Sequence, residues 1–300
     1  MARQDKQNLR GLSMPFFQPD ACLLRAPKQQ AAPVVFSSPH SGSYYPESFL
    51  RNSCLDSHAI RSSEDAFVDR LFDAAPRLGA PLLCARYPRA YVDLNRAADE
   101  LDPDLIAGLP SRHGNTRVAS GLGVIPRVVA RGRLIYEYKI QMAEAKRRLE
   151  MIWHPYHRCL RGLMDETCAR FGKALLLDCH SMPHDTVMSH ARDRRPEIVL
   201  GDRVGTTASA EMMEMTAACF RAEGFSVARN SPFAGVYICK TYGAPARQRH
   251  AIQIEIDRSL YMNEKDITPR GNFSAVQQAI TAVIRRIIIN LQASQALAAE

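Results

Sequence analysis

The residues able to do chemistry gather at a few points in the 300-residue chain, and most of these points close an apolar run. Lys173 to Ser181, KALLLDCHS, carries an uninterrupted apolar stretch into Asp178, Cys179, His180 and Ser181. Pro33 to Ser38, PVVFSS, runs likewise into Pro39-His40-Ser41-Gly42, where proline and glycine hold a bend that aims a side chain. Ser62-Ser63-Glu64-Asp65 sets adjacent carboxylates before an amphipathic run, and His250 to Asp257, HAIQIEID, alternates isoleucines with Gln253, Glu255 and Asp257. His40 and His180 with one carboxylate, Glu64 or Asp65, make a three-ligand set. On zinc that leaves a fourth position for water, the arrangement of catalytic rather than structural sites. Glu255 is then a carboxylate free to act as base. Asn95-Arg96 supplies a fork of donors suited to a carboxylate or a developing oxyanion. These parts suffice for metal-assisted amide hydrolysis.

Each part has a plainer reading when taken singly. His40 suits a structural turn, His180 a satisfied core position, and Asp178 a cap. Serine and acidic residues before an apolar-periodic segment also mark a helix N-terminus, so Glu64 and Asp65 fit a capping role. Arg96 fits a surface salt bridge with Asp93, Asp99, Glu100 or Asp102. His154 and His157, spaced i and i+3 on a helical run, have a metal-compatible spacing but no accompanying carboxylate. Cys179 is one residue off the direction that Asp178 and His180 share on a strand, which argues against a thiol nucleophile. No GxGxxG, Walker or GxSxG pattern follows a strand, which weakens nucleotide-binding and serine-hydrolase readings.

The elements that must position these residues alternate along the chain. Strands are expected at Pro33 to Ser38, Pro81 to Arg86, Tyr91 to Arg96, Lys173 to Ser181, Glu197 to Leu200, Phe225 to Arg229, Gly235 to Thr241 and His250 to Asp257. Helices are expected after Asp65, over Ile135 to Phe171 with a break or new first turn at Pro155, over Ala208 to Glu223, and over Phe273 to Leu297. Ala97 to Thr116 has no clean periodicity and reads as a loop or lid. This alternation implies a single three-layer α/β domain, a mixed β-sheet with helices on both faces, spanning residues 31–300 after a partly loose N-terminal extension over residues 1–30. In open sheets of this kind, ligands collect at the carboxyl ends of the strands, where Asp178 and His180 emerge.

Composition bounds the function further. Hydrophobic residues at 46% and charged residues at 23% leave no room for wholesale disorder, and no apolar run approaches a membrane span. The basic first residues lack a signal-peptide apolar core, so a cytoplasmic protein is expected. Eight scattered cysteines without a CxxC pair argue against a zinc ribbon and a disulfide framework. A net charge of +8 raises nucleic acid as a partner, but aromatic residues do not interleave with the basic ones. The charge is better read as a field for small anionic substrates. Oligomeric state has no signature in the sequence.

FSSPHSGSYYP, SEDAFVDRLFD, YVDLNR, GLGVIPR, Pro155-Tyr156-His157, LLLDCHSMP, VLGDRVGT, ARNSPFAGVY and IQIEIDRSLYM occur in order from about Pro33 to about Glu264. In these segments the chain resembles the N-formylglutamate amidohydrolase family. The resemblance implies a zinc-carboxypeptidase-like fold and hydrolysis of an N-acyl amino acid, typically N-formyl-L-glutamate to formate and L-glutamate in histidine degradation. It implies one zinc ion at His40, Asp65 and His180, Asn95 and Arg96 near the substrate carboxylate or oxyanion, and Glu255 as general base. Lys240, where the family pattern has arginine, keeps a charge for the substrate carboxylate without the bidentate fork. A related hydrolase of another N-acyl amino acid or peptide, and a non-catalytic small-acid-binding relative, are the alternative expectations.

Overall fold

The computed structural model describes residues 17–18, 20–110, 115–186 and 195–296. In chain order its strands are β1 (Cys22–Arg25), β2 (Val34–Ser38), β3 (Leu82–Ala85), β4 (Val128–Val129), β5 (Arg133–Leu134), β6 (Ala174–Met182), β7 (Ile198–Gly201), β8 (Val227–Arg229), β9 (Arg249–Asp257), β10 (Met262–Asn263) and β11 (Thr268–Pro269). Seven form one sheet in the order β1-β3-β2-β6-β9-β7-β8, and the others make short antiparallel ribbons, β4 with β5 and β10 with β11. β2, β3, β6 and β9 run parallel, whereas β1 pairs antiparallel with β3 and β7 antiparallel with β9. The sheet is therefore mixed, as the alternating pattern implies.

β6 and β9 lie at its centre and pair along their whole nine-residue length, which sets Asp178 opposite Gln253 and His180 opposite Glu255. Every residue of β6 is buried, because both faces of the sheet are covered. Leu175, Leu177 and Cys179 pack with Ile252, Ile254 and Ile256 against the helices Ala210–Ala222 and Phe273–Ala296. Leu176 and Ala251 face the helix His154–Phe171. Burying each leucine contributes on the order of 2 kcal/mol, so the apolar run anchors the polar residues that follow it. Period-two geometry sends Asp178, His180, Gln253 and Glu255 to the face of the His154–Phe171 helix, and leaves Cys179 on the other.

Five expectations change. Tyr91 to Arg96 is not a strand: Tyr91 N–H and Val92 N–H both donate to the Pro88 carbonyl, and Asp93 Oδ1 accepts the Asn95 N–H, a local turn that outcompetes the ladder. Gly235 to Thr241 is not a strand either. Tyr237–Tyr242 is a helix with Ile238, Cys239 and Tyr242 buried at helical spacing, and Lys240 is exposed on it. The helix expected directly after Asp65 starts later, at Val68–Leu71, behind Phe67 with φ 66°. The sheet also begins inside the expected N-terminal extension, since Cys22 and Leu24 of β1 are buried against β3. The long helical run expected from Ile135 is shorter at its start, since residues 135–141 are not helical. It starts at Met142, and a wider π turn over Leu149–Trp153 admits Pro155, whose ring would clash with the Met151 carbonyl in a regular helix.

Candidate metal centre and active site

The turn after β2 carries His40, and the Asp65 N–H donates to the His40 carbonyl at 3.1 Å, so both residues are fixed to one backbone contact. His180 arrives from β6. His180 Nδ1 lies 2.9 Å from Asp65 Oδ2, and His40 Nδ1 lies 3.4 Å from the same oxygen. The two imidazoles meet edge to face, with ring centroids 4.6 Å apart. One donor atom from each of His40, Asp65 and His180 lies within 4.8 Å of the others, and all three residues are buried.

The remaining polar atom of each residue is held from behind. His40 Nε2 lies 2.7 Å from Asp93 Oδ1, and Arg89 donates to the other Asp93 oxygen at 2.9 Å. His180 Nε2 lies 2.9 Å from Asp178 Oδ2, while Ser37 Oγ donates to Asp178 Oδ1 at 3.1 Å. Asp65 Oδ1 accepts from Arg258 Nη2 at 3.0 Å, leaving Oδ2 toward the imidazoles. A histidine whose Nε2 is held by a carboxylate presents Nδ1 in a fixed direction, the outer-shell pattern of metal-binding histidines. His40 Nδ1 is buried and makes no hydrogen bond. An orphaned buried nitrogen costs free energy unless something occupies it, so two imidazole nitrogens and a carboxylate oxygen fit a divalent cation.

The buried charges of the cluster also act on one another. Burial opposes charge on Asp65, but the imidazoles of His180 and His40 outweigh it and hold the carboxyl well below the usual carboxylate range. Burial likewise opposes charge on His180, and Asp178 and Asp65 override it to raise the imidazole well above its ordinary value. Glu255, on β9 beside His180, accepts from Gln253 Nε2 at 2.7 Å; burial pushes its carboxyl up to about 7, with the His180 charge pulling the other way.

These residues open onto a cavity of about 630 Å³ whose wall includes Arg89, Arg96, Arg117, Arg131 and Arg258 against the carboxylates of Asp65, Asp93 and Glu255. Of the sequence candidates, His40, Asp65, His180, Glu255, Asn95 and Arg96 come together here. Glu64 does not. It is buried and turned away, bound by Tyr45 Oη at 2.6 Å and by the Arg61 guanidinium at 2.9 and 3.0 Å. Lys240 does not either, because the helix that replaces the expected strand points it to solvent. Asn95 reaches the cavity but is committed to the protein: its Oδ1 accepts the Ile238 N–H at 2.8 Å and its Nδ2 lies 3.2 Å from His180 Nε2. His157 is a satisfied core histidine between the Leu94 carbonyl and the Tyr242 hydroxyl, each at 2.9 Å, and its neighbour His154 is exposed.

The sequence reading missed the residues behind the candidate ligands. Asp178 carried a signal, since i and i+2 on a strand share a face with His180. Asp93, Arg89 and Arg258 carried none, because the contacts that define them span 53 residues from Asp93 to His40 and 193 from Arg258 to Asp65.

Comparison with known proteins points the same way. The family model for N-formylglutamate amidohydrolase matches residues 32–262. The chain is 32% identical over 270 residues to an N-formylglutamate deformylase of Pseudomonas aeruginosa, covering 89% of this chain and 95% of that protein. It is 32% identical over 242 residues to an N-formylglutamate deformylase of Pseudomonas putida, covering 79% and 85%. A crystal structure of N-formylglutamate amidohydrolase from Ralstonia eutropha JMP134 superposes with a TM-score of 0.86 at 34% identity, covering 92% of this chain and 99% of that one. The Agrobacterium tumefaciens gene product Atu2144, at 18% identity and a TM-score of 0.62, shares the fold. The chain belongs to the N-formylglutamate amidohydrolase family.

Proposed function

We propose that this protein hydrolyses the amide bond of an N-acyl amino acid, and that the substrate is N-formyl-L-glutamate, released as formate and L-glutamate. The observation that carries the reading is the buried His40, Asp65 and His180 cluster beside Glu255, in a cavity walled by arginines. His40 Nδ1, Asp65 Oδ2 and His180 Nδ1 would hold the ion, and the mixed nitrogen and oxygen set suits zinc. When bound, such an ion polarises the amide carbonyl and acidifies water.

The chain's own groups supply the rest. Glu255, with a proton affinity near neutral, takes the proton from the attacking water and returns it to the leaving amine as the C–N bond breaks. Water thus provides the hydroxyl of formate and a proton for the amine. Arg96, 93% buried at the cavity wall with its Nε on the Leu122 carbonyl at 2.9 Å, faces the substrate's negative charge with the far end of its guanidinium. Arg89 and Arg258 hold Asp93 and Asp65 in place rather than binding substrate. All eight cysteines are free thiols, which supports a reducing, cytoplasmic setting. No helix among the described residues is long and apolar enough to cross a membrane.

The test is formate release from N-formyl-L-glutamate by protein of measured zinc content, with His180→Ala as control. Release that follows zinc occupancy and disappears in the variant is expected. A zinc-loaded protein that leaves this substrate untouched would overturn the substrate assignment.

A further inference from the structure

Five arginines line the cavity, and they differ in what already holds them. Arg89 and Arg258 have their guanidinium groups on buried aspartates. Arg131 is 86% exposed and sits 3.7 Å from Asp185. Arg96 and Arg117 are different. Arg96 makes its hydrogen bond through Nε alone, and no carboxylate lies within 4.0 Å of Arg117 among the described residues.

One turn ties these two together. Asn95's successor Arg96 donates Nε to the carbonyl of Leu122, and the N–H of that same Leu122 donates to the Arg117 carbonyl at 2.9 Å. Arg117 itself is set by the short helix Thr116–Ala119, whose first turn is capped by the Asn115 side chain accepting from Arg117 N–H and Val118 N–H. The backbone therefore ties the two residues to one wall of the cavity, near enough for the Arg96 charge to act on Arg117. Beside Arg96 the nearby carboxylates are Asp93 and Glu100, and Glu100 Oε2, 3.9 Å from Arg96 Nε, makes no hydrogen bond. Burial and the nearby Arg96 charge hold Arg117 below its ordinary value, outweighing the carboxylates of Glu100 and Asp93.

The two differ in depth. Arg96 lies against Asp93, 4.0 Å away, and Asp93 holds His40, so Arg96 is next to the reacting centre. Arg117 lies one step outward on the more exposed part of the wall. In an N-acyl amino acid the α-carboxylate is close to the scissile amide, and an acidic side chain is several bonds farther off. Resting on the amide-hydrolase reading of this cavity, we infer that Arg117 is a specificity-determining residue that binds the side-chain carboxylate of a dicarboxylic substrate, with Arg96 beneath it on the α-carboxylate. A carboxylate fits a guanidinium fork in bidentate fashion, which an ammonium cannot reproduce.

The experiment compares zinc-loaded wild type, Arg117→Gln and Arg117→Lys on N-formyl-L-glutamate and N-formyl-L-glutamine, which differ only in the side-chain charge. Calorimetric binding of L-glutamate and L-glutamine is measured in parallel. The preference for the acidic substrate in kcat/KM should fall about 10- to 100-fold in Arg117→Gln, the cost of a lost charged hydrogen bond, and recover partly in Arg117→Lys. An equal loss on both substrates, or an unchanged preference, overturns the assignment. If wild type turns over neither compound yet binds L-glutamate in preference to L-glutamine through Arg117, the proposed reaction fails and the carboxylate subsite stands. If that binding preference is absent or independent of Arg117, the subsite fails.

Discussion

Burial drives the Glu255 carboxyl up to about 7, which gives a carboxylate the proton affinity that a catalytic base needs near neutral pH. Glutamine at this position keeps the shape and a partner for Gln253 while removing the proton acceptor. Glu255→Gln should therefore bind zinc with wild-type stoichiometry and lose a factor on the order of 10² to 10⁴ in kcat; a variant that keeps most of its rate would take the base role away from this residue. The residues behind the candidate ligands should act on affinity instead. Asp178→Asn replaces the carboxylate that holds His180 Nε2 with an amide, and should weaken zinc binding about 10- to 100-fold in a chelator competition. An unchanged affinity would mean that packing alone orients the ring. At this scale the three ligand candidates were legible because each stands beside a sequence boundary, an apolar run giving way to polar residues. The choice of Asp65 over Glu64 was not, since it depends on Tyr45 and Arg61 capturing one of two adjacent carboxylates.

The elements deliver these side chains through close backbone contacts. Gly42 follows His40 by two residues, and a Cβ there would lie 2.1 Å from the Tyr87 carbonyl oxygen just past β3. The backbone would have to move. Gly42→Ala should lose stability on the order of 2–4 kcal/mol in urea unfolding, and zinc affinity with it, because the turn that shifts carries His40; full stability would show that the turn can yield. On the opposite helix, His157 joins the His154–Phe171 segment to the loop at Leu94 and to Tyr242, and burial lowers its pKa to about 3. The unfolded chain takes up a proton near 6.5 and the native state does not. Stability is therefore complete above pH ~6.5 and falls by about 1.4 kcal/mol per pH unit as pH drops toward ~3. His157→Gln should lose less stability than wild type between pH 6.5 and 5, by about 2 kcal/mol; equal slopes would place the acid sensitivity elsewhere. Strands such as β6 were readable because burial on both faces leaves a continuous apolar run. Tyr91 to Arg96 and Gly235 to Thr241 were misread because apolar and β-branched residues there serve a turn and a helix.

Across the whole molecule, the layered α/β architecture with its mixed sheet was legible from the alternation of elements, while the strand order and the arginine wall were not. The wall is assembled from Arg89, Arg96, Arg117, Arg131 and Arg258, which lie in three separate parts of the chain, so no local cluster announces it. It gives physical content to the net charge of +8. Charge spread evenly over a surface does little to guide a ligand, whereas cations concentrated in a low-dielectric cleft focus the field and raise the local concentration of an anion. N-Formyl-L-glutamate carries two negative charges at neutral pH, and N-formyl-L-glutamine one. Raising the salt from ~0.01 to ~0.3 M shortens the screening length from about 30 Å to under 10 Å. The value of kcat/KM should thus fall with salt for both compounds, and more steeply for the doubly charged one. The two slopes are measured at fixed pH, with a neutral osmolyte as control for solvent effects. Equal slopes would mean that the arginines act through contact alone. Flat slopes would return the positive charge to the outer surface, where it serves solubility rather than substrate capture.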